Sequence, residues 1–255
     1  VSSFPGEPNV LEASGLSLSY PGGDGIKQVS ITIGQGRLYG FLGRNGAGKS
    51  TTIKILAGVY RPDHGQIRFL GETLKEVSAA WKEQIAYVAQ NPTFYPWLTG
   101  LSLAKLYGQL YPTFDQTYFR ELAANLEVPI VKQIKAMSGG NQTKLSLAVC
   151  LAYRPKLLLL DEPTAGLDPP MRREVLNILK WLKQNDHSAI LFSSHVISEI
   201  SEVSDDIGII ENGSMIFEGQ PEELLRATGN DTLEDAYLSH LKTHNLSCIG
   251  VAIER

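Results

Sequence analysis

Gly43-Arg44-Asn45-Gly46-Ala47-Gly48-Lys49-Ser50-Thr51 fits the pattern G-x-x-x-x-G-K-[ST] of a phosphate-binding loop. The run before it, Arg37-Leu38-Tyr39-Gly40-Phe41-Leu42, is mostly apolar and reads as a buried strand. The run after it, Thr52-Ile53-Lys54-Ile55-Leu56-Ala57-Gly58, is apolar at helical spacing and stopped by a glycine. Strand, glycine loop, helix is the context the motif requires. The glycines let the backbone curl so that its N–H groups converge on phosphate oxygens. The helix N-terminus adds partial positive charge at the same place. In that setting Lys49 reaches the β- and γ-phosphates of a nucleoside triphosphate, and the Ser50 hydroxyl ligates Mg²⁺. An accidental glycine turn would not bring both flanking elements with it.

Composition narrows the remaining possibilities. The 255 residues are 43% hydrophobic and 20% charged, enough for one large core and a smaller lobe. The formal net charge is −4 and no Lys/Arg-rich run occurs, so the sequence predicts no nucleic-acid partner. Cys150 and Cys248 are too isolated for a disulfide framework or a metal site, and Cys150 sits in an apolar helical pattern as a core residue. A reducing, cytosolic setting is expected. No apolar stretch is long enough to span a membrane. Val1 to Asn9 is polar and lacks a signal-peptide core.

Around the loop, strands and helices alternate. Leu11 to Tyr20 and Val29 to Ile33 read as antiparallel strands, with Pro21-Gly22-Gly23 as a turn. Gln66 to Leu70 and Ile85 to Val88 are short strands, the second leading to Gln90. From Asn91 the character changes: prolines and aromatics crowd 92–97, helical patterns follow over 101–110 and 118–126, and no strand signal returns until Leu157. Residues from about 90 to 155 therefore read as a mostly helical lobe inserted in an α/β domain, whose core covers about 10–89 and 156–220. Pro169 to Lys183 is an amphipathic helix, Ala189 to Phe192 a buried strand, and Glu211-Asn212-Gly213 the turn of a hairpin. Pro221 opens a short helical extension over 221–255. The sheet is expected to be mainly parallel, with ligands at the C-terminal ends of its strands.

Two further segments carry chemistry. Leu157-Leu158-Leu159-Leu160 buries a strand whose end presents Asp161-Glu162. An aspartate there can hold Mg²⁺, and a glutamate beside it can orient and polarise an attacking water. A surface acid pair closing a strand is the plain alternative, weakened by the phosphate loop upstream. His195 follows the strand at 189–192, where a side chain can meet a γ-phosphate. Ser138-Gly139-Gly140-Asn141-Gln142 opens a helix and makes a second N-terminus exposed to an anion. One phosphate chain hardly needs two cradles from one chain, so this one is expected to serve a neighbouring subunit's nucleotide.

Gly43–Thr51, Gln90, Ser138-Gly139-Gly140-Asn141-Gln142, Asp161-Glu162, Ala165-Gly166-Leu167-Asp168 and Ser194-His195 occur in an order that resembles the ATPase subunit of ABC transporters, over about residues 10 to 220. The resemblance implies a P-loop NTPase (RecA-like) α/β core with an antiparallel β subdomain and an inserted helical lobe. It implies ATP and Mg²⁺ as cofactors, a head-to-tail homo- or heterodimer with a second ATPase subunit, and transmembrane permease subunits on separate chains at the cytoplasmic face of the membrane. It also implies residue roles. Tyr20 stacks on adenine, and Gln90 senses Mg²⁺ and the γ-phosphate. Ser138, Gly139 and Gly140 cover the partner's ATP. Asp161 serves Mg²⁺, Glu162 is the general base, Asp168 belongs to the inter-subunit loop, and His195 holds the γ-phosphate. One departure is that Met137 and Ser-Gly-Gly-Asn-Gln replace the usual leucine and Ser-Gly-Gly-Gln, while the serine and glycines that touch phosphate are kept. The Gly43-Arg44-Asn45 start and the ending Asp231 to Leu238, which looks like a short terminal helix, are similar to exporter ATPases for drugs, peptide antibiotics or polysaccharides.

Other readings compete. A soluble ABC ATPase assisting cofactor assembly would fit a single cassette of this size. ABC ATPases of translation or DNA repair carry two cassettes or a long coiled coil, which this sequence does not display. A GTPase is disfavoured by the lack of an Asn-Lys-x-Asp motif. Phe94, Tyr95 and Trp97, in a loop beside Gln90, either plug the lobe's own core or form a docking patch for the membrane subunit.

Overall fold

The computed structural model describes residues 8–74, 79–186 and 188–253. Residues 1–7, where the sequence shows no signal-peptide core, and the side chain of Cys248 lie outside the described residues. In chain order the elements are β1 (Asn9–Ser19), β2 (Gly25–Gly34), β3 (Leu38–Leu42), α1 (Lys49–Leu56), β4 (His64–Phe69), β5 (Glu72–Thr73), α2 (Ala79–Lys82), β6 (Ile85–Val88), α3 (Gly100–Leu110), α4 (Gln116–Asn125), α5 (Gly139–Leu151), β7 (Leu157–Leu160), α6 (Pro169–Asp186), β8 (Ala189–Ser194), α7 (Ile197–Val203), β9 (Asp206–Glu211), β10 (Ser214–Gly219), α8 (Pro221–Thr228) and α9 (Leu233–Ile253).

Two sheets form. The first is antiparallel, in the order β2-β1-β4-β5. The second runs β10-β9-β3-β8-β7-β6; its strands are parallel except β10, which closes a hairpin with β9 at one edge. β3 and β7 both pair with β8, so their C-terminal ends lie side by side one strand apart. That juxtaposition brings the phosphate loop to the acid pair.

The leucines of β7 divide by the period of two that a strand imposes. Leu158 and Leu160 join a core with Leu38, Leu42, Ile190 and Phe192, covered by helices that include α4, α5 and α6. Leu157 and Leu159 face the other way, with Tyr39, Phe41 and Leu191, onto α1 and the antiparallel sheet. The same helical core contains Phe119 and Leu122 of α4, so the helices of 100–151 pack continuously with the sheet through α5. Cys150 is buried there, and burial pushes its thiol up to about 12, which makes it a packing residue rather than a reactive one.

The expected elements are present. The chain ending departs from expectation, since α9 runs from Leu233 to Ile253 rather than stopping as a short helix near Leu238. Nothing between 233 and 249 breaks a helix, as no glycine or proline occurs there. The inward side of the first turns, Leu233, Ala236 and Tyr237, is buried. The short helix α7 was also not anticipated. No helix among the described residues is long and apolar enough to cross a membrane.

Candidate active site

The loop from Gly43 to Gly48 connects β3 to α1 by backbone shapes that only glycine takes easily. Gly48 has φ 111°, and a Cβ there would stand 2.8 Å from Ile26 Cγ2. A Cβ on Gly43 would meet the Ile210 carbonyl at 2.6 Å. Lys49 then folds back beneath the loop: its Nζ donates to the carbonyls of Gly43 at 2.6 Å and Arg44 at 3.1 Å. Arg44 contributes that carbonyl while its side chain points outward, and Ala47 is buried, its N–H closing a turn onto Arg44 O at 3.1 Å.

The acid pair meets this loop. Lys49 Nζ stands 3.1 Å from Glu162 Oε1, both side chains nearly buried. Ser50 Oγ donates to Asp161 Oδ1 at 2.9 Å. Burial raises the Asp161 carboxyl above its ordinary value, against the hydrogen bonds from Ser50 and Ser193 that lower it. Gln90 Nε2 and His195 Nδ1 both approach Glu162 Oε2, at 3.4 and 3.1 Å. Five residues from three separate stretches, Lys49 and Ser50, Gln90, and Ser193 and His195, thus converge on one glutamate and one aspartate.

A cleft of about 690 Å³ lies over this cluster, lined by Asn45, Gly46, Gly48, Lys49, Ser50, Thr51, Gln90 and Glu162, with Tyr20, Asp24 and Gly25 along one wall. Tyr20 shares a hydrogen bond with Thr51 at 3.2 Å between hydroxyls, and its ring meets Tyr60 edge-on. His195 lines a smaller cavity of about 140 Å³ that shares Asn45, Gln90 and Glu162 with the cleft.

Ser138, Gly139, Gly140 and Asp168 do not line this cleft. Ser138 is exposed and caps α5 by accepting from Asn141 N at 3.3 Å, and no atom lies within 4 Å of where a Gly139 Cβ would be. Gly140 packs against Met171 at the start of α6. Asp168 caps α6, accepting from Met171 N at 3.0 Å.

Ser193 was not singled out in the sequence, yet it organises the acids: its Oγ accepts from Glu162 N at 2.9 Å and lies 3.2 Å from Asp161 Oδ1. A serine in a buried strand gives no periodic signal, although its place beside the quoted Ser194-His195 was the available hint. Asp24, Thr164, Arg172 and Glu199 were missed as well.

Comparison with known proteins gives one consistent neighbourhood. A family model described as ABC transporter matches residues 26–165. The uncharacterized ABC transporter ATP-binding protein YxlF of Bacillus subtilis is 35% identical over 220 residues, covering 84% of this chain and 72% of that protein. The linearmycin resistance ATP-binding protein LnrL of the same organism is 32% identical over 88% of this chain and 73% of its own. The bacitracin transport ATP-binding protein BcrA of Bacillus licheniformis is 32% identical, over 82% and 69%. Among solved structures, an ATP-binding subunit of an ABC transporter superposes with a TM-score of 0.80 at 26% identity, over 91% of this chain and 99% of that one.

Proposed function

The chain belongs to the ABC transporter family, and from that premise we propose that it hydrolyses ATP at a site completed by a second ATPase subunit, powering an exporter from the cytoplasmic face of a membrane. The observation that carries the chemistry is the convergence of Lys49 on Glu162 and of Ser50 on Asp161 at the mouths of β3 and β7. The exporter reading is supported by the relatives named for linearmycin resistance and bacitracin transport.

Each residue then has a task. Backbone N–H groups of 46–51 cradle the phosphates, and Lys49 Nζ is their counter-ion. Tyr20 stacks on adenine, its ring held by Thr51 and Tyr60. Ser50 and Asp161 offer two hard oxygens side by side, a donor set that fits Mg²⁺. Among the described residues no group of three or more His, Cys, Asp or Glu forms a metal cage. Mg²⁺ needs none, because substrate phosphates and water complete its shell. When bound, it supplies neutralisation of phosphate charge. Glu162 takes the proton of the attacking water. Gln90 and His195 hydrogen-bond to the same carboxylate oxygen and hold it in orientation. A triphosphate in the cradle competes with Glu162 for Lys49, which frees the base. Ser138, Gly139, Gly140 and Asp168 do not line the chain's own cleft and are assigned to the partner's nucleotide.

The test is an ATPase assay on the purified chain together with mild-detergent affinity purification from its cells. Magnesium-dependent ATP hydrolysis and recovery of a multispanning membrane protein are expected. Recovery of soluble partners alone would instead favour a role in cofactor assembly.

A further inference from the structure

Glu199 is a carboxylate that the chemistry above does not use. It sits in the first turn of α7 and is only 3% exposed. Isolating a charge from water is costly unless it is paired, so its partners matter. Thr164 Oγ1 and Ser194 Oγ donate to the same oxygen, Oε2, at 2.8 and 2.6 Å. The other oxygen faces Arg172 Nε at 3.2 Å, an ion pair without a well-directed hydrogen bond. Arg172 is 38% exposed and lines the small cavity beside Glu162 and His195.

The three partners come from three different places. Ser194 precedes His195, and its Oγ also accepts from Val196 N at 3.0 Å, so the histidine is bracketed on both sides. Thr164 lies two residues past Glu162 and starts the turn in which Leu167 N donates to Thr164 O at 3.2 Å. That turn ends at Asp168, whose carbonyl accepts from Arg172 N at 2.9 Å. Arg172 then returns to Glu199. The result is a closed ring: Glu199, Thr164, the turn to Asp168, Arg172, and Glu199 again, with Ser194 and His195 attached to it.

We propose that Glu199 is a positioning residue for ATP hydrolysis, fixing His195 and the loop 163–168 in one register through Ser194, Thr164 and Arg172. It lines the small cavity beside Glu162 and His195 rather than the nucleotide cleft, its own bonds go to Thr164, Ser194 and Arg172, and it reaches Glu162 only through the neighbouring His195. This rests on the reading of Glu162 and His195 as the hydrolytic pair. A ring closed by one carboxylate makes the geometry at His195 depend on where Asp168 sits, and conversely. Misplacing a reacting group by about 1 Å can cost roughly 100-fold in rate.

The experiment measures kcat, KM and melting temperature for Glu199→Ala, Glu199→Gln and Thr164→Val in the full chain. Glu199→Ala should lower kcat about 10- to 100-fold and leave KM within roughly twofold, since uniform binding of ATP is untouched. Glu199→Gln keeps an acceptor for the two hydroxyls but loses the charge opposite Arg172, so its kcat should fall between Glu199→Ala and wild type. The double variant Glu199→Ala/Thr164→Val should be no worse than Glu199→Ala alone, because both open the same ring. Wild-type kcat in Glu199→Ala overturns the proposal. So do a rise in KM matching the loss in kcat, or full additivity of the double variant. If Glu199→Ala does not fold, Glu199→Gln decides: unchanged kcat overturns the proposal, and lowered kcat at unchanged melting temperature supports it. A wild-type chain without ATPase activity would instead remove the hydrolytic reading itself.

Discussion

Glu162 takes a left-handed backbone conformation, φ 47°, which costs a non-glycine residue of order 1–3 kcal/mol. The Ser193 hydroxyl receives its N–H and helps hold it there. The strain turns the carboxylate back over the strand end, toward Lys49 and His195. Such geometry at a charged residue fits a group whose orientation matters to chemistry. Glu162→Gln should therefore bind ATP yet turn over roughly 10²- to 10⁴-fold more slowly, the usual worth of a positioned base. Lys49→Ala should lose nucleotide affinity as well. Equilibrium binding of a fluorescent ATP analogue beside a phosphate-release assay separates the two, and wild-type turnover by Glu162→Gln would sink the assignment. The residues of the phosphate loop, the acid pair and His195 were legible in the sequence because each stands at a fixed offset from a strand or helix boundary. Glu199 and Ser193 were not. Their roles arise from neighbours more than thirty residues away along the chain or on an adjacent strand, and no local spacing encodes that.

Among the elements, the loop between β6 and α3 divides the three aromatics that the sequence left undecided. Phe94 packs against the helical core, while Tyr95 and Trp97 are 58% and 62% exposed and lean on each other with ring centroids 5.2 Å apart. Phe94→Ala should cost roughly 1–3 kcal/mol of stability, and Tyr95→Ala and Trp97→Ala should stay within about 0.5 kcal/mol. Thermal melts check this. If the exposed pair is where a membrane subunit docks, its double truncation should also reduce copurification with that subunit. A second expectation concerns the seam between β10 and the antiparallel sheet. Glu218 Oε1 accepts from Thr32 N at 2.9 Å and from Tyr39 OH at 3.4 Å. Burial, opposed by these hydrogen bonds, raises its carboxyl above the ordinary glutamate value. A raised carboxyl stabilises the fold below the unfolded-state value, and that contribution is lost as pH rises through the folded-state value. Glu218→Gln keeps an acceptor and removes the charge, so it should melt higher than wild type near neutral pH. The difference should shrink as pH falls below the ordinary glutamate range; a variant that melts lower at pH 7 would mean the charge stabilises the seam. At this scale most of the fold was readable, since β7 and the first four residues of β8 are unbroken apolar runs and α6 shows a clean apolar stripe. α7 escaped because its seven residues are half polar, although Ile197, Ile200 and Val203 repeat every third position. The extent of α9 escaped because a sequence without breakers shows where a helix can continue, not where it stops.

For the molecule as a whole, the phosphate loop lines its cleft and the exposed Ser138 loop does not. If the second serves a partner, Glu162→Gln with ATP and Mg²⁺ should elute as a dimer in size-exclusion chromatography. Ser138→Arg, which fills the space reserved for the partner's γ-phosphate, should prevent it. A Ser138→Arg chain that still dimerises on ATP would count against the head-to-tail arrangement. The sequence suggested this division from two anion cradles in one chain, but which surface each one occupies is a matter of three-dimensional packing that no spacing reveals. The exposed position of Ser138, away from Lys49, also bears on genetics. In the head-to-tail arrangement Lys49→Ala and Ser138→Arg should each abolish activity alone while damaging opposite halves of a shared site. Mixed in one tube or coexpressed in one cell, the two dead proteins should complement each other, because a hybrid pair reunites an intact Lys49 from one copy with an intact Ser138 from the other.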